Sequence, residues 1–364
     1  MHNSQSRCLQ AQLSILYTDH KDNMTNRTRL TLSTIRSLST PRVTKTTLPR
    51  PSRSLHGIPI TTRAVPLSDV PITEASLSEL RQLIDAPGAQ PLLFRASATS
   101  DPTNTTSRAS ELLKNLRQGA DRIVDVEYGR YDHAASGVFD RVPMRLQDYL
   151  DWLEDNTRES GSISGRQIYL AQWRAGDEIE AIRDTLKPPP MLTPLLKENL
   201  ADMYQTSFFI GPTGAVTPLH YDPYVNLFHL QASSSPRRYA KHFTLVPPSI
   251  SEHLTRTDPD FGLRNTSPHE FHILPTGTTD SYSFELRADV NIPRSTVEAL
   301  TNAVLTCVLH EGDTLLIPKR WWHRAENVAL PTENEGEKKK AGWTAGVAWW
   351  FLLRDAPGES APSR

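Results

Sequence analysis

Beyond residue 200 the chain breaks into short apolar runs punctuated by Gly, Pro, Asn and Ser. Ser207–Ile210, Tyr224–Gln231, Lys241–Val246, Val304–Leu309, Thr314–Ile317, Trp322–Val328 and Gly342–Leu353 each have the length and the β-branched or aromatic content of a strand. So many short strands leave few ways to bury a core, and a barrel or jelly roll is the architecture they favour. Asp258 to Val297 has weak periodicity and reads as a long insertion between strands. Glu333 to Lys340 is charged and reads as a solvated hairpin tip.

The segment 71–199 is different. Thr73 can cap a helix in which Leu77, Leu80, Leu83 and Ile84 share a face, ended by Pro87-Gly88. Leu112, Leu113 and Leu116 mark a second helix, and Leu146, Tyr149, Leu150 and Leu153 a third. A further helix is expected around Glu178 to Leu186. Leu92-Leu93-Phe94, Arg122 to Tyr128 and Ile168 to Ala171 read as strands between them. The expected class is α+β, mainly β, with a helical N-terminal buttress to a strand-rich part from 200 to 353.

Residues 1–70 do not fit either texture. From Asn23 to Leu67 there are eight Lys or Arg and no acidic residue, with Ser, Thr and Pro filling most of the rest. Such a stretch reads as a disordered basic tail, the reading favoured here, or as an organelle transit peptide. Residues 354–364 read as a disordered C-terminus. The whole chain is near neutral, with 40 Lys plus Arg against 41 Asp plus Glu, so no overall field draws it to nucleic acid. Two cysteines, Cys8 and Cys307, cannot make a disulfide framework, and Cys307 lies in an apolar run that suits a core residue. The longest apolar stretch, Ala345 to Leu353, is too short to span a bilayer. These features point to a nuclear or cytoplasmic protein without a membrane partner, or to a mitochondrial one if the N-terminus is a transit peptide.

His220-Tyr221-Asp222 places two potential metal ligands at i and i+2, and on a strand such side chains leave one face. A third ligand from a neighbouring strand would complete a two-His, one-carboxylate set, which suits Fe(II) and leaves positions open for other ligands. His20-Lys21-Asp22 repeats the pattern by chance in the tail. Context separates the two: a Gly211-Pro212-Thr213-Gly214 turn precedes His220 and an apolar strand follows it. His323 opens a strand after Leu315-Leu316-Ile317-Pro318 and is the better third ligand than His310, which begins a turn. His229, His242, His253, His269 and His272 read as surface or satisfied histidines.

Thr217-Pro218-Leu219-His220-Tyr221-Asp222-Pro223, then Asn226, then Leu315 to Pro318 with Trp322-His323, resembles the JmjC (cupin-like) oxygenases. Tyr169 to Gln172, Arg264 to Ser267 and the closing Trp349-Trp350 are similar to the arginyl-hydroxylase type within that family. The resemblance covers roughly residues 120 to 352. It implies a double-stranded β-helix (jelly roll) over 200–353, with His220, Asp222 and His323 as Fe(II) ligands. It also implies 2-oxoglutarate as cosubstrate with O2, its distal carboxylate paired with Lys241 and helped by Tyr169, Thr217 and Asn226. Lys241 is preferred to Arg237 and Arg238 because it opens the strand to Val246.

Glu127, with Trp322, would then lie at the substrate. The likeness is incomplete. The stretch between Asn226 and Lys241 is longer than the family's usual hairpin, and Phe209 stands where the arginyl hydroxylases carry a tryptophan. The implied activity is hydroxylation of a protein or peptide side chain, arginine or lysine. An RNA-modifying oxygenase of the tRNA wybutosine type is the alternative, disfavoured by the lack of a basic stripe in 71–353. A non-catalytic binding module would be expected to have lost a ligand or the lysine.

Overall fold

Side-chain alternation along the late strands sets the architecture. The computed structural model describes residues 57–68, 83–84, 88–96, 105–128, 140–158, 168–189, 192–255, 265–276, 284–330 and 341–354. Its strands are β1 (Ile58–Ile60), β2 (Arg63–Ala64), β3 (Leu92–Phe94), β4 (Ile123–Tyr128), β5 (Asp140–Arg145), β6 (Ile168–Trp173), β7 (Ala201–Pro212) and β8 (Val216–Tyr221). They continue with β9 (Val225–Ser233), β10 (Tyr239–Val246), β11 (Phe271–Pro275), β12 (Phe284–Ala288), β13 (Leu305–Leu309), β14 (Thr314–Ile317), β15 (Trp322–Ala329) and β16 (Trp343–Leu353).

One sheet has the order β2-β13-β10-β15-β8 and a second the order β3-β14-β9-β16-β7-β6-β4-β5. From β7 to β10, and again from β13 to β16, successive strands alternate between these two sheets. That winding is the double-stranded β-helix, and the protein is mainly β as expected. Between the sheets lie Phe209, Phe228, Leu230, Phe243, Leu245, Leu309, Leu315, Ile317 and Ala348. The intervening residues Leu227, Val347, Trp349 and Phe351 leave the opposite face and pack under the helices. There α1 (Thr105–Leu116) and α2 (Leu146–Arg158) contribute Leu116, Leu146, Tyr149, Leu150 and Leu153, each at most 1% exposed. The α2 residues recur at helical spacing, so one stripe is buried, and the Tyr149 hydroxyl is satisfied by the carbonyl of Ile210 at 2.5 Å.

The outer face of the five-stranded sheet is covered by the insertion. Its weak periodicity hides a hairpin, β11 with β12, which joins β1 in a three-stranded sheet of order β1-β12-β11. Leu219, Val246 and Trp322 pack there against Leu254, Phe271, Leu286 and Leu300. Trp322 is wholly buried, donates its indole N–H to Ser251 Oγ at 2.9 Å and meets Tyr221 edge-on. Replacing a buried Trp by Ala typically costs about 3–5 kcal/mol. Trp322→Ala is therefore expected to lower the urea midpoint sharply, and Trp322→Phe much less, as read by equilibrium denaturation.

Two expectations need correction. Residues 57–68 are ordered, so a tail extending to residue 70 is too long. β1 pairs with β12 in the register Ile58↔Ala288, β2 runs parallel to β13, and Val65 is buried between the sheets. Ile58, Ile60 and Val65 supply the apolar surface that the Ser/Thr/Pro composition masked, and Pro59 is tolerated because β1 is an edge strand. The stretch 333–340, expected to be a solvated hairpin tip, lies outside the described residues. The helix expected near Glu178 to Leu186 is broken into Ala175–Glu178, Glu180–Arg183 and the single turn Asp184–Leu186.

Residues 1–56 and 355–364, the capping residue Thr73 and Arg264 lie outside the described residues, whereas Leu83 and Ile84 are helical and Ile84 is buried. Among the described residues no helix is long and apolar enough to cross a membrane.

Candidate metal centre

β8 and β15 are antiparallel neighbours with His220 directly opposite His323 and Tyr221 opposite Trp322. Because side chains alternate, both histidines turn inward while Tyr221 and Trp322 turn outward into the other core. Asp222 follows at i+2 from His220. One ligand atom from each of His220, Asp222 and His323 lies within 4.8 Å of the others, and His323 Nε2 is 3.6 Å from Asp222 Oδ2. The imidazole centroids are 4.2 Å apart.

The surroundings prepare all three groups for a cation. His220 Nδ1 lies 2.8 Å from the carbonyl of Pro218, and His323 Nδ1 lies 3.1 Å from that of Trp321. A carbonyl can only accept, so each Nδ1 carries a proton, and Nε2 is the ring nitrogen left to meet a metal. Burial, followed by the neighbouring His220, pushes His323 below the usual imidazole range, which favours the neutral, ligating form. Asp222 Oδ2 accepts the indole N–H of Trp350 at 2.9 Å, and the Asp222 carbonyl accepts from the Arg320 N–H.

Between the same two sheets is a buried amine. Lys241 shares a face of β10 with Phe243 and Leu245, and it is 3% exposed. Its Nζ donates to Asn327 Oδ1 at 2.8 Å and to the Tyr169 hydroxyl at 3.4 Å, and lies about 5.5 Å from the Phe228 ring centroid. Among the described residues it forms no ion pair. Burial pushes its pKa down to about 7, with Glu326 opposing the shift. Asn327 stands opposite Lys241 in the ladder and spends its own amide N–H groups on the carbonyls of Gly211 and Pro212. Tyr169 is hydrogen-bonded by Thr217, and burial raises its phenol pKa, keeping it neutral. A Cβ at Gly211 would collide with the Tyr169 ring, so glycine is required for this approach. Asn226, opposite Trp350 on β16, is 4% exposed, and its Oδ1 is buried with no hydrogen-bond partner.

Thus His220, Asp222 and His323 come together, and Lys241, Tyr169, Thr217 and Asn226 lie in the same interior. Trp322, expected at the substrate, faces away from the metal centre into the other core. Glu127 is buried and its Oε1 accepts from Arg141 Nη2 at 2.9 Å, so a substrate cation would have to share or displace that guanidinium. Arg237 and Arg238 lie in the turn between β9 and β10, away from the buried amine. Asn327 and Trp350 were not singled out from the sequence as site residues. The strand register that makes them partners of Lys241 and Asp222 has no local signature.

A family model described as a cupin-like domain matches residues 86–355. The chain is 26% identical over 259 residues to the Jumonji C domain-containing protein 5 of Drosophila melanogaster, covering 68% of this chain and 56% of that protein. It is 23% identical over 202 residues to the lysine-specific demethylase JMJ30 of Arabidopsis thaliana, covering 52% and 40% of the two chains. With lysine-specific demethylase 8 of Danio rerio it shares 26% over 186 residues, covering 51% and 38%. The chain therefore spans about half, or less, of the length of the curated relatives it matches.

Proposed function

The chain belongs to the cupin-like domain family, in its JmjC branch, and from that premise we propose that it is an Fe(II)- and 2-oxoglutarate-dependent oxygenase hydroxylating an arginine or lysine side chain of a protein. His220, Asp222 and His323 would hold the iron. Lys241, Asn226, Thr217 and Tyr169 would hold 2-oxoglutarate. When bound, metal and cosubstrate together supply O2 activation, with succinate and CO2 leaving and one oxygen atom going to a C–H bond.

The observation that carries this reading is Lys241. A buried amine whose nearest partners are a neutral amide and a neutral phenol is a costly arrangement that a carboxylate would relieve. A cupin that bound only a metal would have no use for it. The orphaned Asn226 Oδ1 is a second unsatisfied group in the same interior, and the two-nitrogen, one-oxygen donor set suits Fe(II). The protein's own part is positional. Lys241 anchors an anion, Tyr169 and Thr217 orient it, and Phe209, Phe228 and Phe243 keep water from its surroundings. Trp350 holds the Asp222 carboxylate in place. Loss of such an outer-shell partner commonly lowers metal affinity by about 10–100-fold, so Trp350→Phe should weaken metal binding to that extent in a Mn2+ titration followed by EPR.

A second reading is N-demethylation of lysine, favoured by the names of two relatives. Both readings begin with oxidation of a C–H bond and part at the product. The test offers peptide pools and total tRNA separately to the full chain and follows succinate and product mass. Hydroxylation adds one oxygen to a peptide, whereas demethylation removes a methyl group as formaldehyde. Coupled turnover on tRNA alone would replace both with RNA modification.

A further inference from the structure

We propose that Glu270, His272 and Asp289 form a second divalent-cation site, on the β11–β12 hairpin and separate from the His220 centre. One ligand atom from each of the three lies within 4.8 Å of the other two, and all three residues are half-buried. Glu270 and His272 are at i and i+2, so their side chains leave one face of the chain. The β11–β12 register ends at Phe271↔Ala288, and the next step brings Asp289 opposite Glu270, whose carbonyl accepts the Asp289 N–H at 3.1 Å. The layout repeats that of the first centre, where His220 and Asp222 are at i and i+2 and His323 stands opposite the first of them.

The side chains are available. Glu270 and His272 make no side-chain hydrogen bond or ion pair with any described residue. Asp289 Oδ1 is held by the N–H and the side-chain amide of Asn291, both at 2.8 Å, which fixes the carboxylate and leaves its other oxygen for a ligand. Arg287 stands opposite His272 in the ladder. Its guanidinium donates to Glu285 at 3.0 and 3.1 Å and to the Gly57 carbonyl at 3.4 Å. One imidazole and two carboxylates suit a late first-row ion such as Zn2+, whereas Mg2+ and Ca2+ are bound through all-oxygen sets.

Such an ion would tie down the segment that supports the first centre. Three residues before Glu270, Ser267 N–H bonds to the Leu219 carbonyl at 2.8 Å, and Asn265 and Tyr221 exchange two hydrogen bonds at 3.0 Å. The hairpin is thus continuous with a segment paired to β8, the strand that carries His220. The second ion is a structural tie and adds no chemical step.

The test is Zn2+ binding to the metal-free full chain, with stoichiometry from calorimetry and from native mass spectrometry. The wild type is expected to bind two ions, His272→Ala and Asp289→Asn one, and His220→Ala one. Zn2+ should still raise the melting temperature of His220→Ala but not that of His220→Ala combined with His272→Ala. A stoichiometry and a Zn2+-induced stabilisation both unchanged by His272→Ala and Asp289→Asn would overturn the site. That outcome is independent of the oxygenase reading, because failure of the first centre would appear only in the His220 variant.

Discussion

His220→Ala and Asp222→Ala are each expected to abolish metal-dependent succinate formation while leaving the fold intact. The two histidines come from a pair of antiparallel strands and Asp222 from just past the end of the first, and the other described cluster able to hold an ion, Glu270 with His272 and Asp289, contains none of them. Removing one donor therefore leaves a two-ligand site with no substitute from the neighbouring strands. The loss should exceed the roughly 10–100-fold that an outer-shell deletion produces. The fold should survive because His220 and Asp222 are half-exposed and belong to no hydrophobic cluster, unlike Trp322 one position from His323. Far-UV circular dichroism and the urea midpoint check the fold, and Mn2+ EPR checks the site. His20→Ala carries the same local pattern and should change nothing. Equal loss from His20→Ala would mean that the wrong dyad was assigned.

The dyad was legible because its neighbours constrain it: a turn before, a strand after and a compatible histidine opening another strand. The two-sheet core was legible because alternation in Leu227-Phe228 or Trp349-Trp350 assigns successive side chains to opposite faces wherever the strand falls. The same rule contained a warning that the family likeness overrode. Trp322 and His323 are adjacent on a strand, so if His323 ligates a metal inside the barrel, Trp322 must point away from it. The first strands were hidden for a different reason. Ile58, Ile60 and Val65 are few among many Ser, Thr and Pro residues, and their partners, β12 and β13, lie more than two hundred residues later. Asn327 and Trp350 depend equally on non-local register. Composition describes a segment alone, and these residues acquire their roles only when a distant strand arrives beside them. The ion pair of Glu127 likewise depends on Arg141 across the β4–β5 ladder, which no reading of Glu127 by itself could supply.

Lys241→Ala is expected to weaken 2-oxoglutarate binding by about a hundredfold or more, because removing one member of a buried charge pair costs roughly 3–5 kcal/mol and each ~1.4 kcal/mol is tenfold. Arg237→Ala and Arg238→Ala should have small effects, since both residues lie in the turn outside the barrel. The pH dependence gives a sharper check. Burial lowers Lys241 to about 7 in the unliganded protein, from an unfolded value of 10.5. Between those values the unfolded chain holds more protons than the native one, so the stability of the unliganded protein should fall as pH drops through that window and level off below about 7. A bound carboxylate favours the charged amine and raises its pKa again. Binding at about pH 8 should then take up a proton, and affinity should rise as pH falls toward 7. Calorimetry of 2-oxoglutarate binding to the Mn2+-loaded protein, in buffers of different ionisation enthalpy, measures that uptake directly. In Lys241→Met the proton uptake should vanish together with the affinity. A wild type that binds 2-oxoglutarate tightly at pH 8 without taking up a proton would mean that the amine is already charged, and the account of Lys241 as a neutral, waiting partner would be wrong. Tight binding that persists in Lys241→Met would move the anchor to another residue.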